Sequence, residues 1–209
     1  MIDPVLLAQL AAAGRRAVMA GHVVGTGGNL SARVRADACL ITAAGAALDE
    51  LEIGSVVVVG LDGAVRDGDA QPSSEAAVHL AAYNARPDIG AVVHLHPRTA
   101  VVLHALGLEI GLITTDHAFY VRSIGSVPFV PPGTAEVAEA VAAQLARHDV
   151  VMIRQHGCVT VGATVALAAA RAANLEEAAR ATVLALSLGD APPAVPAAWL
   201  AQLDEGGPV

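Results

Sequence analysis

The run Val92-Val93-His94-Leu95-His96-Pro97 sets two histidines two residues apart in a β-branched stretch. On a strand, residues i and i+2 point to the same face. Both imidazoles can therefore reach one point in space. Two neutral imidazoles on one face begin a first-row metal site, most often zinc. The alternative is that one packs in the core and the other faces a loop. A third histidine, His156, stands at the turn of a strand–turn–strand stretch over residues 150–162. It would complete a three-histidine site with one open face, as catalytic zinc requires. Cys158 is a rival ligand, although free cysteines are usually buried and inert.

Composition narrows what such a site can serve. The chain has 209 residues, enough for one domain with a real core. The expected division is a single domain over 1–189 and a Pro/Ala-rich tail over 190–209 that holds the one tryptophan, Trp199. A net charge of −8 argues against a nucleic-acid backbone as partner. Aromatics at 2% are too few to stack single strands. No uncharged apolar run reaches the roughly 18 residues of a membrane span, and the first residues lack the pattern of a signal peptide. Two cysteines, Cys39 and Cys158, make no disulfide framework. A reducing, cytoplasmic setting is the expectation.

Along the chain, apolar spacing predicts a helix over residues 4–20, with Pro4 in its first turn and Gly21 stopping it. Gly25-Thr26-Gly27-Gly28-Asn29-Leu30-Ser31 follows. Such a turn lets backbone amides approach an anion, or it simply precedes a strand. Residues 39–42 and 55–59 read as strands, and Asp62-Gly63 reads as a hairpin turn. Pro72-Ser73-Ser74-Glu75 opens a helix whose free amides favour an anion. Taken alone, Glu75 reads as an acid compensating the helix dipole. The histidine strand ends at Pro97, which starts a helix through 106, where His104 is structural. Residues 113–122 form a polar-aromatic patch in an aliphatic chain: a functional segment or a loop covering the core edge. Helices are predicted over 134–147 and 164–188.

The ordered motifs G-T-G-G-N-L-S, I-T-x-x-G, P-S-S-E, H-L-H-P and H-G resemble the class II aldolase/adducin family, from Gly25 to the helix near Leu188. The resemblance implies a three-layer α/β/α fold with a central, mostly antiparallel sheet. It also implies a homotetramer with active sites between subunits and a small-molecule substrate, a sugar phosphate or carboxylated analogue. His94, His96 and His156 would hold zinc, with manganese or cobalt able to take the same ligands. Glu75 looks like the catalytic acid/base, with a pKa raised by burial. Gly28, Asn29, Ser73 and Ser74, with the Gly45 amide, look like the phosphate pocket. Tyr120 or His117, reaching a neighbouring subunit's site, would handle the departing group.

The implied reaction is aldol cleavage or formation of a C–C bond in a hydroxy-ketone, through a metal-stabilised enediolate. The chain departs from the phosphosugar enzymes at Ala43-Ala44, where a hydroxyl is usual. That departure, with Arg122 as a bidentate carboxylate holder, makes a decarboxylase the alternative. An epimerase fits less well, because that branch favours aspartate where Glu75 stands. A non-catalytic adducin-like scaffold is the remaining alternative.

Overall fold

Alternation along the strands decides the layers. In β2 (Ala38–Thr42), β3 (Val56–Gly60) and β5 (Ala91–Leu95) every residue is buried. Strands buried on both faces need cover on both faces. Leu40, Val58 and Val93 point to one side, among Leu10, Leu103 and Leu175. Ile41, Val57 and Val92 point to the other, among Val78, Tyr83, Val137 and Leu145. Each large side chain so buried contributes about 1.5–3 kcal/mol.

The computed structural model describes residues 2–204. The first face is covered by α1 (Pro4–Met19), α3 (Arg98–Ala105) and α6 (Val165–Ser187), and the second by α2 (Ala76–Ala85) and α5 (Ala135–Leu145). The remaining strands are β1 (Asn29–Arg35), β4 (Val65–Asp67), β6 (Ile124–Val127), β7 (Val150–Ile153) and β8 (Gly157–Gly162). All eight form one sheet in the order β4-β3-β2-β1-β5-β8-β7-β6. Every neighbouring pair is antiparallel except β6 with β7. This is the three-layer α/β/α fold with a mostly antiparallel sheet. Among the described residues no helix is long and apolar enough to cross a membrane.

Three segments differ from the sequence reading. The patch over 113–122 is not a loop: it carries α4 (Thr115–Val121), capped by the Thr114 hydroxyl, which accepts from the His117 amide at 3.2 Å. Strand β6 was not foreseen. It is a short edge strand holding Gly125, and it forms the sheet's one parallel pair. The Pro/Ala-rich tail carries a helix that was not assigned from the sequence, α7 (Ala197–Asp204), which lies against α4. The tail's residues 205–209 lie outside the described residues.

Candidate metal centre and active site

Strand β5 carries His94 on the face of Val92, turned toward α2. His96 follows just past the strand's end, where its amide donates to the His22 carbonyl at 3.0 Å. Pro97 then starts α3, whose first amides at Thr99 and Ala100 donate to the buried Glu176 carboxylate of α6. A carboxylate at a helix N-terminus pins that end, and with it the chain just after His96. His156 comes from the turn between β7 and β8, where Gln155 takes a left-handed φ of 56°. Register sets Leu95 opposite Cys158, so this turn overhangs the end of β5. Gly157 is required there. A Cβ at that position would stand 2.4 Å from the Leu95 carbonyl oxygen and 2.6 Å from His96 Cδ2.

One donor atom from each of His94, His96, His156 and Glu75 lies within 4.8 Å of all the others. His94 Nε2 is 3.0 Å from His96 Nε2 and 3.1 Å from Glu75 Oε2, and His156 Nε2 is 3.3 Å from Glu75 Oε1. His94 Nδ1 pairs with the Cys158 carbonyl oxygen at 3.0 Å. That carbonyl only accepts, so the proton sits on Nδ1, and a neutral His94 turns a lone pair inward from Nε2. Glu75 Oε1 is buried without a hydrogen-bond partner. Converging nitrogen lone pairs beside an orphaned carboxylate oxygen fit a divalent cation.

Protonation agrees. Burial, then the nearby charges of His94 and His156, pushes His96 down to about 4. Burial also lowers His156. Both imidazoles are neutral near pH 7, as ligands must be. Cys158 is no rival ligand: its thiol is buried and pushed up to about 12 by desolvation, and its carbonyl is the part that serves the site.

Glu75 behaves differently from both sequence expectations. It is the N-cap residue of α2, but its side chain makes no capping bond and turns to the histidines instead. It also fills the face that a three-histidine site would leave open. Burial acts to raise its pKa; the hydrogen bond and charge of a protonated His94, the Asn29 amide and the charge of a protonated His156 act to lower it and outweigh burial, and of these the Asn29 amide remains when the imidazoles are neutral. The carboxyl is held well below its usual range, which corrects the expected rise. The resting group is therefore the ionised base.

The other predicted residues divide into two groups. Three segments meet beside Glu75. The Leu30 amide donates to the Thr42 hydroxyl at 3.2 Å, the Ser73 amide to the Thr42 carbonyl at 3.1 Å, and the Ala44 amide to the Gln71 carbonyl at 2.9 Å. These bonds bring Gly28, Gly45, Ser73 and Ser74 to one end of the sheet. Gly28 has a φ of +72°, and a Cβ there would stand 2.8 Å from the His94 carbonyl oxygen. Asn29 joins this group in a different role. It sits opposite His94 on β1, and its amide nitrogen donates to Glu75 Oε2 at 3.0 Å.

Tyr120, His117 and Arg122 lie elsewhere in this chain. His117 Nδ1 accepts from the Thr114 amide within the cap of α4. The Tyr120 carbonyl accepts from Arg171 Nε at 3.2 Å, and the same guanidinium bonds the Val161 carbonyl. Val161 is near the far end of β8, away from His156. Arg122 lines a cavity of about 580 Å³ with Arg86, Arg147 and Asp149.

Three imidazoles and a carboxylate, gathered at the end of the central strands of a mostly antiparallel α/β/α sheet, fit a divalent metal site. The model of the class II aldolase and adducin N-terminal domain matches residues 8–183. The chain belongs to this family. It is 33% identical over 166 residues to an L-fuculose phosphate aldolase of Methanococcus vannielii, covering 79% of this chain and 89% of that one. It is 32% identical over 172 residues to a 3-oxo-tetronate 4-phosphate decarboxylase of Haemophilus influenzae, covering 80% and 81%. A solved L-fuculose 1-phosphate aldolase superposes with a TM-score of 0.90 at 27% identity, covering 99% of this chain and 97% of that one. Both activities named among these relatives are lyase reactions.

Proposed function

We propose that the protein is a zinc-dependent aldolase that breaks or forms a C–C bond in a phosphorylated hydroxy-ketone. The observation that carries this reading is the junction of the 28–30, 42–45 and 71–75 segments beside the histidine cluster. It sets the Gly45 amide and the Ser74 side chain at the same end of the sheet as the Glu75 carboxylate. The Gly45 amide has no backbone acceptor among the described residues, and the Ser74 side chain is exposed. Both are free to meet a phosphate, and no hydroxyl from Ala43 or Ala44 adds to them.

His94, His96 and His156 would hold the metal, which supplies Lewis acidity toward neighbouring oxygens of the substrate. Glu75 carries the proton. In the synthetic direction the carboxylate takes it from the carbon next to the ketone. The same carbon then bonds the aldehyde carbon, and the aldehyde oxygen takes a proton from Tyr120 or His117 of a neighbouring copy in a homotetramer, since α4 is held away from Glu75 within one chain. The proton on Glu75 passes to solvent and the neighbouring group is reprotonated from it; cleavage runs these steps in reverse, starting from Glu75 protonated by solvent. Manganese or cobalt would serve the same ligands.

A decarboxylase is the second reading, and the relative in Haemophilus influenzae favours it. There carbon dioxide leaves and Glu75 protonates the carbon left behind. An Arg122 role in holding the carboxylate would require that residue from another copy.

The test is hydrogen–deuterium exchange at carbon of dihydroxyacetone phosphate in heavy water, followed by NMR, with metal-loaded protein. The aldolase reading predicts exchange without any aldehyde. It predicts a loss of about 10²- to 10⁴-fold in Glu75→Gln, with metal content unchanged. Full activity in Glu75→Gln refutes the proton carrier. No exchange from metal-loaded wild type transfers the assignment to the decarboxylase.

A further inference from the structure

Behind Glu75 lies a line of buried polar side chains in a face otherwise made mostly of aliphatic residues. Glu75, His79 and Tyr83 are spaced four apart, one stripe at the start and along the length of α2. That stripe faces Asn29 and Ser31 of β1. Asn29 Oδ1 is 2.6 Å from His79 Nε2. Ser31 Oγ is 2.7 Å from His79 Nδ1 and 2.9 Å from Tyr83 Oη. His79 and Ser31 are wholly buried, and Tyr83 is 1% exposed.

The chemistry of the groups sets every proton along this line. An ionised carboxylate only accepts, so Asn29 presents its NH2 to Glu75. Its carbonyl oxygen then faces His79, and His79 Nε2 must carry the hydrogen. In the neutral ring Nδ1 is left as an acceptor, and the Ser31 hydroxyl donates to it. The Ser31 oxygen accepts in turn from the Tyr83 hydroxyl. Reversing any one bond would leave two donors or two acceptors face to face. A leucine at 79 would fill the same space without burying polar atoms, which costs stability unless every one is paired.

We propose that His79 is a positioning residue. By fixing the amide orientation of Asn29, it holds the Glu75 carboxylate with one oxygen saturated and the other, Oε1, free to take the substrate's proton. This rests on the reading of Glu75 as proton carrier. Asn29 is then a strut for Glu75 through its side chain rather than a phosphate ligand.

The experiment combines kinetics with long-range ¹H–¹⁵N NMR of the histidines. With metal-loaded protein and dihydroxyacetone phosphate, His79→Leu should lower kcat for exchange about 10- to 100-fold. KM and metal content should stay close to wild type. His79→Gln, whose side-chain NH2 can still donate to Asn29, should recover most of the loss. In the wild type His79 should be the Nε2–H tautomer, and Glu75→Gln should shift that proton's resonance by removing the charge at the end of the line. Equal losses in His79→Leu and His79→Gln, a loss confined to KM or metal content, or an Nδ1–H tautomer overturns the proposal. If metal-loaded wild type shows no exchange, the reading of Glu75 has failed on its own. The positioning claim is then decided by the NMR alone, and an unmoved His79 resonance in Glu75→Gln overturns it.

Discussion

The two ends of the central strands are held by opposite kinds of chemistry. At the end near Leu95 and Cys158, three imidazoles and a carboxylate that could hold a metal face one another, with a carboxylate oxygen left without a hydrogen bond. At the end near Asp149 and Val161, the charged groups form a paired cluster. Asp149 bonds Arg86 at 3.1 Å and Arg171 at 2.5 Å, and Arg171 also ties down the backbone of α4. One end keeps unsatisfied groups for a ligand, while the other uses charge to fasten helices to the sheet. Unpaired buried polar atoms cost free energy and persist where they serve a purpose. The contrast therefore separates a working site from a structural clasp, although both are rich in titratable groups.

Substitutions can break this contrast. The largest effect belongs to the histidines. His94→Ala should reduce bound metal to background and abolish carbon-bound proton exchange, whereas Arg122→Ala should leave metal content intact; elemental analysis of the purified proteins reads both. Equal metal loss in the two variants would mean that the ends are not separate. Next comes Arg171→Met at the clasp. Removing Arg171 leaves Asp149 with Arg86 alone and takes a donor from the Tyr120 and Val161 carbonyls. It should cost about 1–3 kcal/mol in urea unfolding without changing metal affinity.

The smallest effect sharpens the site end. Burial, then the charge of His94, lowers the His79 pKa to about 3 from an ordinary 6.5. Above 6.5 neither the folded nor the unfolded state binds this proton. Below it the unfolded chain takes the proton and the folded chain does not, so stability falls as pH drops from 6.5 toward 3. Between pH 7 and pH 5 this one group should remove about 2 kcal/mol. Urea titrations at both values should show a smaller drop for His79→Leu than for wild type. Identical drops would show that His79 is not the buried neutral ring described here.

The same contrast explains what the sequence could and could not reveal. His94 and His96 were legible because strand geometry is local: a spacing of two puts both on one side whatever the rest of the fold does. His156 was legible as the histidine of a turn, and Glu75 through its motif. The fold class itself came through the ordered motifs, not through periodicity. Tyr120, His117 and Arg122 stood out as a polar-aromatic patch in an aliphatic chain and by what their side chains could do, Arg122 as a bidentate carboxylate holder. Residue type carries no geometry, and the Arg171 tether that fixes α4 joins residues 51 apart. Strand β6 escaped notice because Ile124-Gly125-Ser126-Val127 has little strand propensity and is held by its parallel partner. The Glu75–His79–Tyr83 stripe was present as a four-residue spacing, but its meaning appears only when Asn29 and Ser31 arrive across from it on β1.

The central claim is that His94, His96 and His156 hold one metal ion beside Glu75 at the end of β5. X-ray absorption at the zinc edge of the metal-loaded protein tests it most directly. The account predicts three imidazole nitrogens at about 2.0–2.1 Å, retained in Glu75→Gln and lost in His94→Ala. Sulfur scattering at about 2.3 Å, or a spectrum of hydrated zinc unchanged by His94→Ala, would contradict it.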